Sequence, residues 1–175
     1  MYNINFDRHL NLINWSCIYW GIQEQLIGSE NAVIYANKVI ENSPDADVPE
    51  MIELLITDEA DKDNVLPLIE RMFPDKKELE NKKPSAIRIL RFILLLEIQK
   101  NRTDNQDLLD EIENIYADFD YPSDMEDFIS YMPIRDDEYD VSEHLPQENE
   151  QRLVDKFNIF MNDEFNIITK EHIIP

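Results

Sequence analysis

Apolar side chains along this chain recur every three or four positions, and no stretch alternates with a period of two between Asn-Gly or Asp-Gly turns, so the pattern predicts helices and no sheet. Trp15, Ile18, Tyr19, Ile22 and Leu26 form one stripe, which predicts a helix over 14–27 closed by Gly28 just past its end. Ser29 is the expected N-cap of a second helix, with Glu30 in its first turn and Val33, Ala36, Val39 and Ile40 behind it. The run Ser43-Pro44-Asp45 interrupts, and Asp47 with Glu50 makes a capping-box-like start for a third helix reaching Thr57. Asp63 is the expected cap of a fourth helix holding Val65, Leu66, Ile69, Met72 and Phe73. Pro67 is placed among first-turn amides that lack intrahelical partners anyway, and Pro74 ends the helix.

Residues 75–83 are strongly charged and read as a loop or a frayed helix. Pro84 presets the first turn of a helix over 84–101, where Ile87, Leu90, the run Phe92 to Leu96 and Ile98 cover nearly every direction and mark the centre of the fold. A Thr103 or Asn105 cap starts the next helix, with Leu108, Leu109, Ile112, Ile115 and Tyr116 inward and Asp107, Asp110, Glu111 and Glu113 toward water. Ser123 and Glu126 suggest a second capping box for a short helix over 124–132, stopped by Pro133. Residues 134–146 form the longest irregular stretch, and loops of such length in compact domains are often functional. The last helix is predicted over 147–162, and the β-branched residues of the tail 165–175 give it an expected extended conformation. The prediction is therefore a single all-α domain spanning 1–175 with about eight helices. They form an irregular bundle or stacked antiparallel helical pairs, and the absence of a fixed internal period favours the bundle.

Composition adds that 175 residues, 43% of them apolar, support a core that folds without metal or disulfide help. Cys17, the only cysteine, sits among apolar residues and reads as an inert core thiol in a reducing, cytoplasmic protein. Asp7, Arg8 and His9 break any signal-peptide run at the N-terminus. The longest apolar run, Phe92 to Leu96, is five residues, against roughly 20 for a membrane span.

Charge changes the picture further. Asp and Glu outnumber Lys and Arg 38 to 16, a net charge of −22, and the excess is uneven: −9 over 1–61, +4 over 62–102 and −17 over 103–164. Such a body repels anionic membranes and nucleic-acid backbones and attracts a basic protein. Lys76, Lys77, Lys82, Lys83, Arg88 and Arg91 are interleaved with Asp75, Glu78 and Glu80, which reads as a charge-balanced face and not as a nucleic-acid patch.

No catalytic constellation emerges. His9, His144 and His172 belong to no motif with a mechanical rationale, and there is no nucleophile elbow, Gly-rich phosphate cradle or metal-ligand spacing. Asp118-Phe-Asp120 and the run Asp136 to Asp140 lack the alternation and the glycine of a calcium loop, so neither metal nor cofactor is expected. Aromatic and acidic residues do interleave from 116 to 140. One reading makes Tyr116, Phe128 and Phe119 core with solvated carboxylates around them. The other is a protein interface of Tyr anchors and steering carboxylates, comprising Asp118, Asp120, Tyr121, Asp124, Asp127, Tyr131, Asp136, Asp137, Glu138, Tyr139 and Asp140. Trp15 is expected in the core, while Trp20 points off the stripe.

The phrases Trp15 to Gly21, Arg91 to Leu95, and above all Glu113 to Pro122 (ENIYADFDYP) and Phe128 to Pro133 (FISYMP), resemble the bacterial domain-of-unknown-function family 2247 over nearly the whole chain. The resemblance transfers no catalytic residues and implies a small cytosolic bacterial protein, similar in size and acidity to the immunity proteins that neutralise a cognate toxin. The expected function is a non-enzymatic, acidic protein-binding module of that kind, acting on a basic toxin domain. Alternatives are a helical adaptor or a nucleic-acid-mimicking inhibitor and, third, an enzyme with an unrecognised site. Oligomeric state is left open.

Overall fold

The computed structural model describes residues 1–43, 48–57, 61–134 and 139–171. These are helical throughout, apart from turns and one isolated parallel bridge between Tyr2 and Ile27. Contacts divide the chain into two compact units, 1–93 and 94–175.

The N-terminal unit begins with α1 (Phe6–His9) and α2 (Trp15–Gln23). The Asn14 side chain caps α2 by accepting from the Cys17 amide at 3.1 Å. The helix stops earlier than its apolar stripe suggests, and Gly28 is not the terminator. Gln25 takes the left-handed conformation, with φ 60°, while its amide donates to Ile22 O at 3.1 Å and the Leu26 amide to Gly21 O at 2.8 Å. That pair of bonds is a Schellman cap with glutamine where glycine usually sits. Gly21 matters through packing: a Cβ there would lie 2.9 Å from Ile27 Cδ1 and 3.0 Å from Leu90 Cδ1.

In α3 (Glu30–Asn42), Ser29 is the N-cap residue but its side chain makes no capping bond. The Asp47 cap lies outside the described residues, and α4 (Pro49–Leu55) starts with proline in its first turn after Val48. In α5 (Lys62–Arg71) the cap is Asp61, not Asp63: its carboxylate accepts from the Asn64 amide at 2.9 Å. Pro67 thus falls in the second turn and deletes an intrahelical bond, a loss offset by burial of Val65, Leu66, Leu68 and Ile69. The charged stretch after Pro74 is a helix, α6 (Lys76–Asn81), capped by Asp75 through the Glu78 amide at 2.7 Å and anchored by buried Leu79. Helix α2 packs on α3, α3 on α4, α4 on α5 and α5 back on α2, a cycle of neighbours. Trp15 is half-buried, edge-on to Tyr35 at 4.8 Å. Trp20 is also half-buried and donates its indole N–H to Leu79 O at 2.9 Å. Cys17 is fully buried, and that burial pushes its thiol pKa up to about 12.

The division between units falls inside α7 (Lys83–Asn101), where Ala86, Ile89, Leu90 and the run Phe92 to Leu95 are buried. The C-terminal unit continues with α8 (Asn105–Asp118) and α9 (Pro146–Glu171). The α8 cap is Asp104, accepting from the Asp107 amide at 2.9 Å, in place of Thr103 or Asn105. The short helix expected over 124–132 is a 3-10 turn, Ser123–Phe128, with no capping box, because Pro122 occupies the N-cap position. Its Phe128 ring packs on Phe157 and Phe160 of α9 at 5.6 and 5.0 Å.

The described part of the C-terminal tail is not extended. Helix α9 carries on through Phe165 to Glu171 because Phe157, Met161, Glu164 and Ile168, all buried, share one face at alternating spacings of four and three. Burying Ile168 on that face outweighs the weak β preference of Ile167, Ile168 and Thr169.

Candidate functional site

The C-terminal end of α8 builds the most distinctive surface of this unit. The helix ends in a second Schellman cap: the Asp120 amide donates to Ala117 O at 3.1 Å and the Tyr121 amide to Tyr116 O at 2.9 Å. Asp120 has φ 61° and Tyr121, directly before Pro122, has φ 56°. Aspartate tolerates this left-handed region, whereas a tyrosine ahead of proline is strained there by about 1–3 kcal/mol. The two capping bonds and the ring contact of Tyr121 with Tyr116 hold it in place.

That contact is edge-on, with centroids 5.3 Å apart, and Tyr131 approaches Tyr116 from Phe128-Ile-Ser-Tyr131 at 6.4 Å. Tyr116 is buried at 2% exposure, while Tyr121 and Tyr131 present 58% and 59% of their surface to solvent. Glu113 fixes the second segment: its carboxylate accepts from the Ser130 amide at 3.1 Å and from the Ser130 hydroxyl through the same oxygen. Desolvation, then the Glu113 carboxylate, raises the Tyr131 phenol above its ordinary pKa. Two segments apart in sequence, 113–121 and 128–131, thus meet as one tyrosine cluster with a carboxylate beside it.

The remaining interface candidates sort into other groups. Asp118 is exposed at the last residue of α8. Asp124 and Asp127 are exposed on the 3-10 turn and line a hollow of about 250 Å³ with Lys156, Ile159 and Asp163. Tyr139 is half-buried: His144 stacks on its ring at 4.4 Å, the Arg152 guanidinium lies over the ring at 4.5 Å, and its hydroxyl donates to Asn149 at 2.6 Å. Asp140 caps the 3-10 turn Val141–Glu143, and bonds from the Ser142 hydroxyl and amide lower its carboxyl pKa. Asp136, Asp137 and Glu138 lie outside the described residues. The structure therefore unites Tyr121 and Tyr131, with Asp120 at the same helix end, and assigns Tyr139 and Asp140 to local packing at the start of α9.

Glu113 and Ser130 were not legible as site residues, since seventeen positions separate them and neither carries a local pattern. The only sequence signal was the density of tyrosines on either side of Pro122. Among the described residues no group of three or more His, Cys, Asp or Glu side chains is arranged to hold a metal. No described helix is long and apolar enough to cross a membrane. A cavity of about 280 Å³ between the 3-10 turn and α9, walled by Leu109, Ile129, Met132 and Leu153, carries Asp127 and Arg152 on its lining.

Charge sets the electrostatic frame. Residues 94–175 hold 22 acidic against six basic side chains, a net −16 that the unit's own cations cannot neutralise.

The family described as "Uncharacterized protein conserved in bacteria (DUF2247)" matches residues 4–165. The chain belongs to that family. No curated protein and no solved structure matches it. The DUF2247 match spans both segments of the tyrosine cluster.

Proposed function

We propose that this DUF2247 protein is a non-enzymatic, cytoplasmic binding module whose C-terminal unit captures a basic protein, in the manner of an immunity protein that neutralises a cationic toxin domain. The observation that carries this reading is the pairing of a net −16 with two half-exposed tyrosines held against a buried third. Carboxylates that cannot all be neutralised internally draw a cationic partner in, and rigid aromatic rings supply contact area once it arrives. A toxin's active site or substrate groove covered in this way is blocked without any chemistry by the binder.

The test is co-purification from the native host with the tagged full chain. A stoichiometric partner of high isoelectric point is expected, lost when Asp118, Asp120 and Asp124 are each replaced by Lys. It should be retained when Asp63 and Glu80 of the other unit are replaced in the same way. Equal loss in both sets, or a partner of acidic or neutral charge, would contradict the proposal.

A further inference from the structure

We infer that Tyr121 and Tyr131, seated on Tyr116 and flanked by Glu113, form a cage for an arginine side chain of the basic partner. This deepens the reading above and rests on it. An exposed aromatic ring is ordinary; two tyrosines at 58% and 59% exposure converging on one buried tyrosine are a built feature. Both rings are already ordered by contact with Tyr116, so a ligand loses little side-chain freedom in engaging them.

The chemistry of the cluster selects a cation. Tyrosine faces carry the negative lobe of the ring quadrupole and attract a cation within about 6 Å of the centroid. Tyrosine phenols are neutral at physiological pH, so these rings act through their faces and hydroxyls and not as phenolates. Glu113, held by Ser130, adds a positioned carboxylate. Arginine fits this combination better than lysine: its guanidinium is planar, weakly hydrated, stacks on aromatic faces and forms paired hydrogen bonds with carboxylates. The same mode already operates inside this unit, where Arg152 lies over the Tyr139 ring. The surrounding surplus of carboxylates raises the local concentration of such a side chain before contact.

The test is an NMR titration of the full chain with an arginine hexapeptide, its lysine counterpart and its neutral citrulline counterpart. Ring resonances of Tyr116, Tyr121 and Tyr131 should shift saturably with the arginine peptide, less with lysine and not with citrulline. Tyr121→Ala and Tyr131→Ala should each weaken arginine binding by about threefold to thirtyfold, with Tyr121→Phe retaining it because the ring face is kept. Glu113→Gln gives a loss that does not depend on removing a ring, should an alanine variant unfold. Arginine binding that survives both alanine variants unchanged, or a lysine peptide bound as tightly, would overturn the cage while leaving the acidic-capture reading standing. Failure of every cationic peptide to bind at low salt would overturn both.

Discussion

Both units are acidic, but to very different degrees. Residues 1–93 carry 16 acidic and 10 basic side chains, and several of the cations there are paired within the fold. Lys38 reaches Asp7 at 2.7 Å and Glu41 at 3.3 Å, Lys82 meets Glu78 at 2.8 Å, and Arg71 sits with Glu50 and Glu53. Lys83 contacts Glu24 at 2.6 Å while lying over the Trp20 ring at 4.6 Å. Residues 94–175 have 22 acidic groups and six basic ones. Exposed ion pairs contribute only about 0–1 kcal/mol each, so stability does not explain the contrast. What differs is the size of the net charge, −6 in one unit and −16 in the other, where the greater self-repulsion must be offset by the apolar core. The proposed capture of a basic partner rests on this surplus lying in the same unit as the exposed Tyr121 and Tyr131.

Perturbing each unit at matched positions tests whether this contrast lies in the surface or in the packing. The largest effect is expected in the C-terminal unit, where Phe128 is 2% exposed and packs on Phe157 and Phe160. Phe128→Ala should cost about 3–5 kcal/mol by urea denaturation, and a loss under about 1 kcal/mol would show that the 3-10 turn is not part of the core. In the N-terminal unit Gly21→Ala should cost about 1–2 kcal/mol despite alanine's better helix propensity, since Ile27 and Leu90 must move. An unchanged or raised midpoint would contradict that packing.

Cys17 offers a chemical probe of the same unit. With its pKa raised to about 12 by burial, the thiol stays protonated through pH 8 to 9, and modification by a thiol reagent should follow global unfolding. Rapid labelling of the native protein would place the thiol outside the core. The smallest effect comes from the two Schellman caps. Gln25→Gly and Asp120→Gly should each stabilise by up to about 1 kcal/mol by relieving the left-handed backbone. Only the second should alter partner binding, because it removes a carboxylate next to Tyr121. Equal binding effects from both would remove the distinction between the units.

Much of the fold was readable before any coordinates. The all-round apolar helix α7 and the two-faced α8 followed from periodicity, and Cys17 from its neighbours. The misplaced features had specific physical causes. Asp61 and Asp63 both suit an N-cap, and a sequence cannot say which turn closes first. Helix α6 has Leu79 as its one buried residue, too little for an amphipathic signal. In the described part of the C-terminal tail the β-branched residues favour an extended chain one by one, but the alternating spacing of buried residues from Phe157 to Ile168 governs α9. For the site, the density of tyrosines and carboxylates from 116 to 131 was visible, but its organisation was not. A positive φ on Asp120 and Tyr121 and the bond from Ser130 to Glu113 arise only when the chain has folded.

The most direct measurement is the association rate of the full chain with the basic protein it recovers from its host, followed by stopped flow from about 50 to about 500 mM salt. Capture by the acidic unit predicts a rate that falls by about tenfold or more over that range, and falls less when Asp118, Asp120 and Asp124 are neutralised. A rate indifferent to salt, or one equally steep after those carboxylates are removed, would contradict it.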